Sequence, residues 1–323
     1  MRRCQTTRME TSRNTLHRTA SLALIALLLV GSAGVSLATG GETLAVARPT
    51  RLEVPTPTSC DVLAARPLTL NRWGFMTIRG GELTRHARRS DWSITLLDPQ
   101  FRLPSDYAPA STSLTWIDAH ARLSDRRGWQ LKRDAAIALR AMFLQAREEA
   151  GLSLRVASAY RSYGYQNMLL ARLAARRGIN KARTLIAIPG HSEHQLGTTV
   201  DLRGYRNGAW MAANAYRFGF VRSYLGGGRQ SETCYASEPW HWRYVGTTIA
   251  YEVACSEQVL RIFLWERQHG ADRVIGPNCG TLTPPVDYPM PEPSPDPSSS
   301  AEVSPSLEPS SEPVSSAEPS PAP

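Results

Sequence analysis

The stretch Gly190–Leu202 reads GHSEHQLGTTVDL and places an imidazole and a carboxylate seven residues apart. His194 comes first, and Asp201 lies in the run Thr198–Leu202, which predicts a short strand. Gly197 stands between them, and a loop that turns there can bring both side chains to one point. The stretch therefore predicts half of a polar site that is built on a strand.

A second stretch, Glu238–Gly246, reads EPWHWRYVG and supplies the other half. Pro239 excludes a regular helix here, so Glu238 and His241 are not a helical pair, but an extended segment lets both point into one cleft. Two imidazoles and one carboxylate leave one position of a tetrahedral site open for water, as in catalytic zinc centres. We therefore predict a zinc site, in which His241 holds the metal and Glu238 acts on the water beside it.

The sequences of four motifs resemble those of the VanY-like D-alanyl-D-alanine carboxypeptidases, which are zinc peptidases of the cell wall. The motifs are SAYRSYGYQ (Ser158–Gln166), PGHSEHQLGTTVDL (Pro189–Leu202), NAYRFGFVRSY (Asn214–Tyr224) and EPWHWRYVG. The segment LLDPQFRLPSDYAP (Leu96–Pro109) is also similar to the first segment of that family. The resemblance covers roughly residues 94–268.

This resemblance implies a role for each residue that matches a family position. The expected roles are one Zn²⁺ per chain held by His194, Asp201 and His241, a catalytic base at Glu238, a group that steadies the charged carbonyl oxygen at Arg161, and substrate contacts at Gln166, Ser192 and Trp240. Two residues depart from the pattern, His191 and Thr199. Neither removes a ligand, and we expect His191 at the rim of the substrate site.

The resemblance implies a zinc metallopeptidase that removes the C-terminal D-alanine from peptidoglycan stem peptides ending in D-Ala-D-Ala. An L,D-endopeptidase of the same zinc fold, cutting inside the stem peptide, stays open. So does a non-catalytic cell-wall-binding module, although that would predict loss of a ligand or of Glu238. A serine D,D-peptidase needs Ser-x-x-Lys, and the residues three before Lys132 and Lys181, the only lysines, are Trp129 and Gly178, which excludes that class.

Hydrophobic periodicity predicts an α+β fold. Helices are expected over 132–151, 165–177 and 210–218, and strands over 154–160, 198–202 and 241–245. Residues 246–268 are expected to begin loosely and become helical. The family adds a small central antiparallel sheet, flanked by helices, with the zinc site in a cleft.

The chain divides into four predicted parts. Residues 1–38 carry five arginines, all of them ahead of an uncharged run, which is typical of a signal peptide or a membrane anchor, so we expect the body to be exported. Residues 39–93 form a linker, over Arg48–Ser59, and an N-terminal lead-in. Residues 94–280 form the catalytic domain. Residues 281–323, rich in Pro, Ser and Glu, form a disordered tail.

The net charge and the number of cysteines limit which cellular compartment and which binding partners are expected. The formal net charge is +9, and the seven acids of the tail have no base beside them, so the rest of the chain is more basic still. An exported basic body suits an anionic partner such as cell-wall polymer or a membrane surface. Nucleic acid fits the charge but not the compartment, and we expect a monomer. Beyond Cys4, four cysteines predict two disulfides in an oxidising compartment. Of three pairings we favour Cys60–Cys234 and Cys255–Cys279.

Overall fold

The computed structural model describes residues 54–70, 76–78, 80–117, 128–206, 208–270 and 279–287. The predicted signal peptide or anchor at 1–38 and the tail from residue 288 onwards lie outside the described residues. Among the described helices, none has the length and apolar character needed to cross a bilayer.

The first part of the chain contributes short elements that pair locally. They are α1 (Cys60–Ala64), β1 (Leu68–Leu70), β2 (Met76–Ile78), β3 (Glu82–Leu83), β4 (Phe101–Arg102), β5 (Leu114–Trp116) and β6 (Gln130–Lys132). Strand β1 pairs with β2 and β5 with β6, both antiparallel, and β3 pairs with β4 in parallel.

The second part contains the long helices and the central sheet. Its elements are α2 (Arg133–Ala150), β7 (Arg155–Ser158), α3 (Tyr163–Arg177), α4 (Ile179–Ala182), β8 (Thr199–Arg203), α5 (Ala209–Asn214), β9 (Phe220–Arg222), α6 (Gln230–Thr233), β10 (His241–Tyr244), α7 (Thr247–Ser256) and α8 (Leu260–Gln268). A 3₁₀ turn over Glu193–Leu196 precedes β8. The four strands β7, β8, β10 and β9 form one antiparallel sheet in that order. The predicted α+β class and small antiparallel sheet are confirmed.

Helix α2 covers one face of this sheet. Its apolar positions recur at helical spacing, and Gly151 ends the helix in the left-handed conformation, as predicted. Leu139 and Met142 are fully buried against a cluster that includes Val200 and Trp242 from the sheet. Burying a side chain such as leucine contributes about 1.5–3 kcal/mol, so the contact holds helix and sheet together. Trp242 is a core residue, as expected.

The alternation of strand side chains then decides which groups lie on the other face. Val200 and Trp242 are register partners that face α2. Successive residues of a strand point to opposite faces, so the next register pair, Asp201 and His241, points away from α2. The apolar packing of one face therefore places the polar pair on the other.

Three predictions about the organisation of the chain are wrong in part. Residues 247–256 form the helix α7 from the start, where we expected a loose segment. The supposed linker is bound to the domain over its described residues, because Trp265 Nε1 donates to the oxygen of Pro55 at 2.6 Å and Arg261 Nη2 donates to that of Thr58 at 2.9 Å. The tail begins later than residue 281, since the amide of Val286 donates to the oxygen of Arg217 at 2.9 Å.

Both favoured disulfides are confirmed. Cys60 bonds to Cys234 and Cys255 bonds to Cys279. The first ties the N-terminal lead-in to the segment that precedes β10, and the second ties the end of α7 to the last described residues. The two crosslinks thus fasten both ends of the described chain to the central fold.

Candidate metal centre

Three predicted ligands meet on the sheet face opposite α2. His194 lies in the 3₁₀ turn, Asp201 in β8 and His241 in β10, and one ligand atom from each lies within 4.8 Å of the others. Asp201 Oδ1 is 3.3 Å from His194 Nε2 and 3.4 Å from His241 Nδ1. Gly197 ends the turn at φ 76°, a conformation that favours glycine, and so lets the chain enter β8.

Hydrogen bonds fix the orientation of both imidazoles. His194 Nδ1 donates to the carbonyl oxygen of Ala159 at 2.8 Å, which leaves Nε2 as the lone-pair nitrogen facing Asp201. Burial, together with the charge of Arg161, lowers the pKa of His194 to about 4 and keeps this ring neutral, as a ligand must be. His241 Nε2 lies 2.9 Å from the carboxylate of Glu193, and its Nδ1 faces Asp201.

The carboxylate of Asp201 is divided between two functions. Oδ2 accepts a hydrogen bond from Arg161 Nη2 at 2.5 Å. Oδ1 is buried and has no hydrogen-bond partner among the described residues, although it lies between the two imidazoles. A buried acceptor without a donor is costly, and a cation bound by this oxygen and the two ring nitrogens would remove that cost. The donor set therefore fits a metal such as zinc.

A buried acid behind His241 was missed in the sequence analysis. Glu193 is 4% exposed, and its carboxylate accepts from Ser223 Oγ at 2.6 Å and from Arg243 Nη1 at 2.9 Å, besides contacting His241. Although burial raises its pKa, Arg243 and His241 lower the pKa of Glu193 to about 2, so it stays ionised. A carboxylate that holds the outer nitrogen of a ligand histidine orients the ring.

Arg243 in turn ties this acid to the N-terminal part of the chain. It is fully buried, and its Nη2 donates to the carbonyl oxygens of Trp92 at 2.8 Å and Thr95 at 2.7 Å. The signal was visible in the sequence HWRYV, because an arginine inside an aromatic strand is rarely buried without an anionic partner. Which acid would serve as partner was not visible, since Glu193 is 50 residues away.

Glu238 lies beside the cluster, outside the three-group set. Its Oε2 is 3.4 Å from His241 Nδ1, and its side chain is 14% exposed. Burial raises the pKa of Glu238 to about 7, against the opposing effect of His241. A carboxyl group that titrates near neutral pH suits a general base.

The predicted substrate contacts line one cleft next to the cluster. This cleft, of about 290 Å³, is lined by Arg161, Gln166, Ser192, Trp240 and Glu238 together with the three candidate ligands. Gln166 donates from Nε2 to the oxygen of Ala187 at 2.7 Å, and its Oε1 is buried with no partner among the described residues. Trp240 is 41% exposed and forms an open wall. Arg161 also donates from Nε to Ser158 Oγ at 2.9 Å.

The expected position of His191 is wrong. It is 1% exposed and lies in the interior, where its Nδ1 is 2.7 Å from the carbonyl oxygen of Asp98. Burial lowers the pKa of His191 to about 4. A neutral, enclosed ring cannot form the rim of the cleft. Thr199, the other departure, is fully buried in β8 and does not line the cleft.

Comparisons with known proteins agree with the motifs. A family model described as "VanY: D-alanyl-D-alanine carboxypeptidase" matches residues 128–247. The chain is 32% identical over 170 residues to a putative carboxypeptidase, YodJ, of Bacillus subtilis, which covers 49% of this chain and 61% of that protein. It is 31% identical over 190 residues to a D-alanyl-D-alanine carboxypeptidase of Enterococcus faecalis, which covers 53% and 66%. Both matches span less than two thirds of the relative.

Solved structures give matches of similar identity. A vancomycin-resistance D,D-pentapeptidase VanY mutant in complex with Zn(II) is 30% identical, with a TM-score of 0.44 over 54% of this chain and 99% of that one. The LdcB LD-carboxypeptidase is 27% identical, with a TM-score of 0.48 over 62% and 94%. The family model and the curated relatives agree, and residues 128–247 form a VanY-like carboxypeptidase domain.

Proposed function

We propose that this chain is a zinc-dependent carboxypeptidase that removes the C-terminal D-alanine from peptidoglycan stem peptides ending in D-Ala-D-Ala. The observation that carries the proposal is Asp201 Oδ1, a buried acceptor without a donor among the described residues, placed between two imidazole nitrogens. Glu238 stands beside these groups in the same cleft.

One Zn²⁺ per chain would be held by His194, Asp201 and His241. When bound, zinc supplies a water that is acidic near neutral pH and polarises the scissile carbonyl. Glu238 accepts the proton of the attacking water and delivers it to the leaving amine, a function that its raised pKa supports. Glu193 keeps the ring of His241 oriented throughout, because it holds the outer nitrogen.

Arg161 has two proposed functions in the same site. Its Nη2 and Nε hold Asp201 and Ser158, which fixes the plane of the guanidinium. The charge of the group then lies beside the position where negative charge develops on the carbonyl oxygen, and a fixed donor there stabilises the transition state. The substrate carboxylate is assigned to Ser192 and Gln166, which line the same cleft.

We also propose that the enzyme acts outside the cytoplasm, as a monomer on cell-wall peptide. The two disulfides support an oxidising compartment. Residues 1–38 are assigned to export or anchoring, residues 94–280 to catalysis, and the acidic tail to a spacer.

The direct test is to incubate the zinc-loaded protein with a pentapeptide ending in D-Ala-D-Ala and to weigh the products by mass spectrometry. Loss of one alanine is the expected result. A cut inside the peptide would identify an L,D-endopeptidase instead. An intact peptide, with binding retained, would identify a non-catalytic wall-binding module.

A further inference from the structure

A second, larger groove adjoins the metal cluster and shares part of its lining with the cleft. It has a volume of about 550 Å³ and is open to solvent. We call it the β7–β8 groove. Its walls are formed by Ala157, Ser158, Arg203, Tyr205, Arg206 and Trp240. Asp201 belongs to both this groove and the cleft, and so does Trp240. The two cavities therefore meet at the reacting position.

The described lining of the groove carries two arginines and one carboxylate. Arg203 and Arg206 are exposed in its wall, and Arg155 lies directly opposite Arg203 as its register partner across β7 and β8. Like charges opposite each other on a sheet are unfavourable. Arg155 and Arg203 each also interact with other groups, so neither guanidinium is unpaired. The relevant property of the groove is the sum of its positive charges. Among the described lining residues the one acid is Asp201, which Arg161 already engages.

The backbone at the end of β8 is built so that Arg206 stays at this wall. Gly204 has φ 78°, and a Cβ there would lie 2.1 Å from the backbone oxygen of Ser153. Only glycine allows this close approach. Two residues later Arg206 itself has φ 52°, which is uncommon for a residue with a side chain. The turn residues Gly204, Tyr205 and Arg206 all line the groove.

The shapes of the two cavities assign them to the two sides of a peptide. A carboxypeptidase binds one residue on the carboxyl side of the scissile bond and the rest of the polymer on its amino side, so the two sides need cavities of different size. The cleft of about 290 Å³ next to Gln166 and Ser192 suits the last residue. The open groove suits the chain that precedes the scissile bond, with Trp240 as an aromatic wall against its backbone.

We propose that the β7–β8 groove binds the amino side of the substrate peptide, and that Arg203 and Arg206 select peptides that carry a carboxylate there. Guanidinium groups form charge-assisted, often bidentate hydrogen bonds with carboxylates, which are stronger than neutral ones. This inference rests on the proposed function, because the groove is oriented by the position of the cleft. Phosphate-bearing wall polymer would also meet positive charge here, but a groove that opens onto Asp201 favours the substrate itself.

The test uses pairs of peptides that differ in one group. Each pair ends in D-Ala-D-Ala and carries either glutamate or glutamine one or two residues before it. We expect the zinc-loaded enzyme to favour the glutamate peptide by about tenfold in kcat/KM, the range of a hydrogen bond to a charged group. The double variant Arg203→Gln/Arg206→Gln should bring this ratio close to one. The control Arg140→Gln/Arg147→Gln removes two exposed arginines of α2, and should leave the ratio unchanged.

The same pairs are titrated into Glu238→Gln by calorimetry, so that the preference is also measured without turnover. If the wild-type enzyme cleaves neither peptide, the proposed function fails, while the ratio of dissociation constants still tests the groove. If acid and amide peptides are cleaved and bound equally well, or not bound at all, the groove inference is overturned. It is also overturned if the double variant loses only its affinity for phosphate-bearing wall polymer and keeps the peptide preference.

Discussion

Asp201 and His241 lie directly opposite each other on neighbouring antiparallel strands, and their side chains approach to 3.4 Å between Oδ1 and Nδ1. Strand register, not a loop, therefore sets the distance between two candidate ligands. Sites on strands are held more firmly than sites on loops, and the sheet is fastened from behind by α2.

The first prediction concerns this pair. His241→Ala should no longer retain one zinc per chain. A catalytic zinc site needs three protein ligands, and only His194 and Asp201 would remain. Zinc content is measured by atomic absorption after dialysis. The control is His269→Ala, whose ring stacks on Trp265 just after the end of α8 and is not in the cluster. Full zinc retention by His241→Ala would show that the ligand assignment is wrong.

Glu238 should be needed for turnover and not for metal. Glu238→Ala and Glu238→Gln should keep zinc and lose about 10²–10⁴-fold in kcat, the typical contribution of a general base. Glutamine keeps the shape but cannot accept the proton, so both variants should be similar. Zinc content, peptide binding and turnover are measured on one preparation. Zinc loss would instead make this residue a ligand.

Glu193 should tune the metal without touching it. Glu193→Gln keeps the size of the side chain but weakens its contacts with His241 and Arg243, and we expect zinc affinity to fall by about 10–100-fold. Competition with a chelating dye measures the dissociation constant. Glu232→Gln serves as control, because this acid pairs with Arg229 at the surface. Equal affinities in the two variants would argue against an orienting function.

Gly204 should tolerate no side chain. Gly204→Ala combines a left-handed backbone with a contact against the oxygen of Ser153, and should cost about 2 kcal/mol or more in the free energy of unfolding. Gly164→Ala is the matched control, since nothing lies within 4 Å of the new Cβ in α3, and it should be neutral or stabilising by up to about 1 kcal/mol. Urea unfolding measures both. Equal stability of the two would contradict the tight turn.

The two disulfides should differ in their contribution. Cys60–Cys234 closes a separation of 174 residues and Cys255–Cys279 one of 24. Chain entropy then gives about 5 kcal/mol for the first and about 3.5 kcal/mol for the second. Replacing each pair by serine and comparing urea unfolding tests the order. A larger loss from the shorter loop would show that chain entropy does not govern here.

Local patterns were enough to predict the main elements. The helical spacing of apolar residues in α2 and the closing Gly151 marked that helix almost to the residue, because both signals act within a few residues. Residues 247–256 were missed as helix, since the preceding glycine and threonines are weak helix formers. Burial of Glu252, Val253 and Cys255 against the rest of the fold overrides that weakness.

By itself, the sequence determined the candidate residues: His194 and Asp201 around a turning glycine, a proline that keeps Glu238 and His241 off a helix, and motifs that resemble those of one peptidase family. Tertiary structure alone decided that Glu193 stands behind His241, that His191 is enclosed, and that residues 54–59 are bound to the domain. The physical reason is the sequence separation over which each kind of interaction acts. Periodicity and turn chemistry act over a few neighbouring residues, whereas a buried charge finds its partner across some 50 residues, through burial and register.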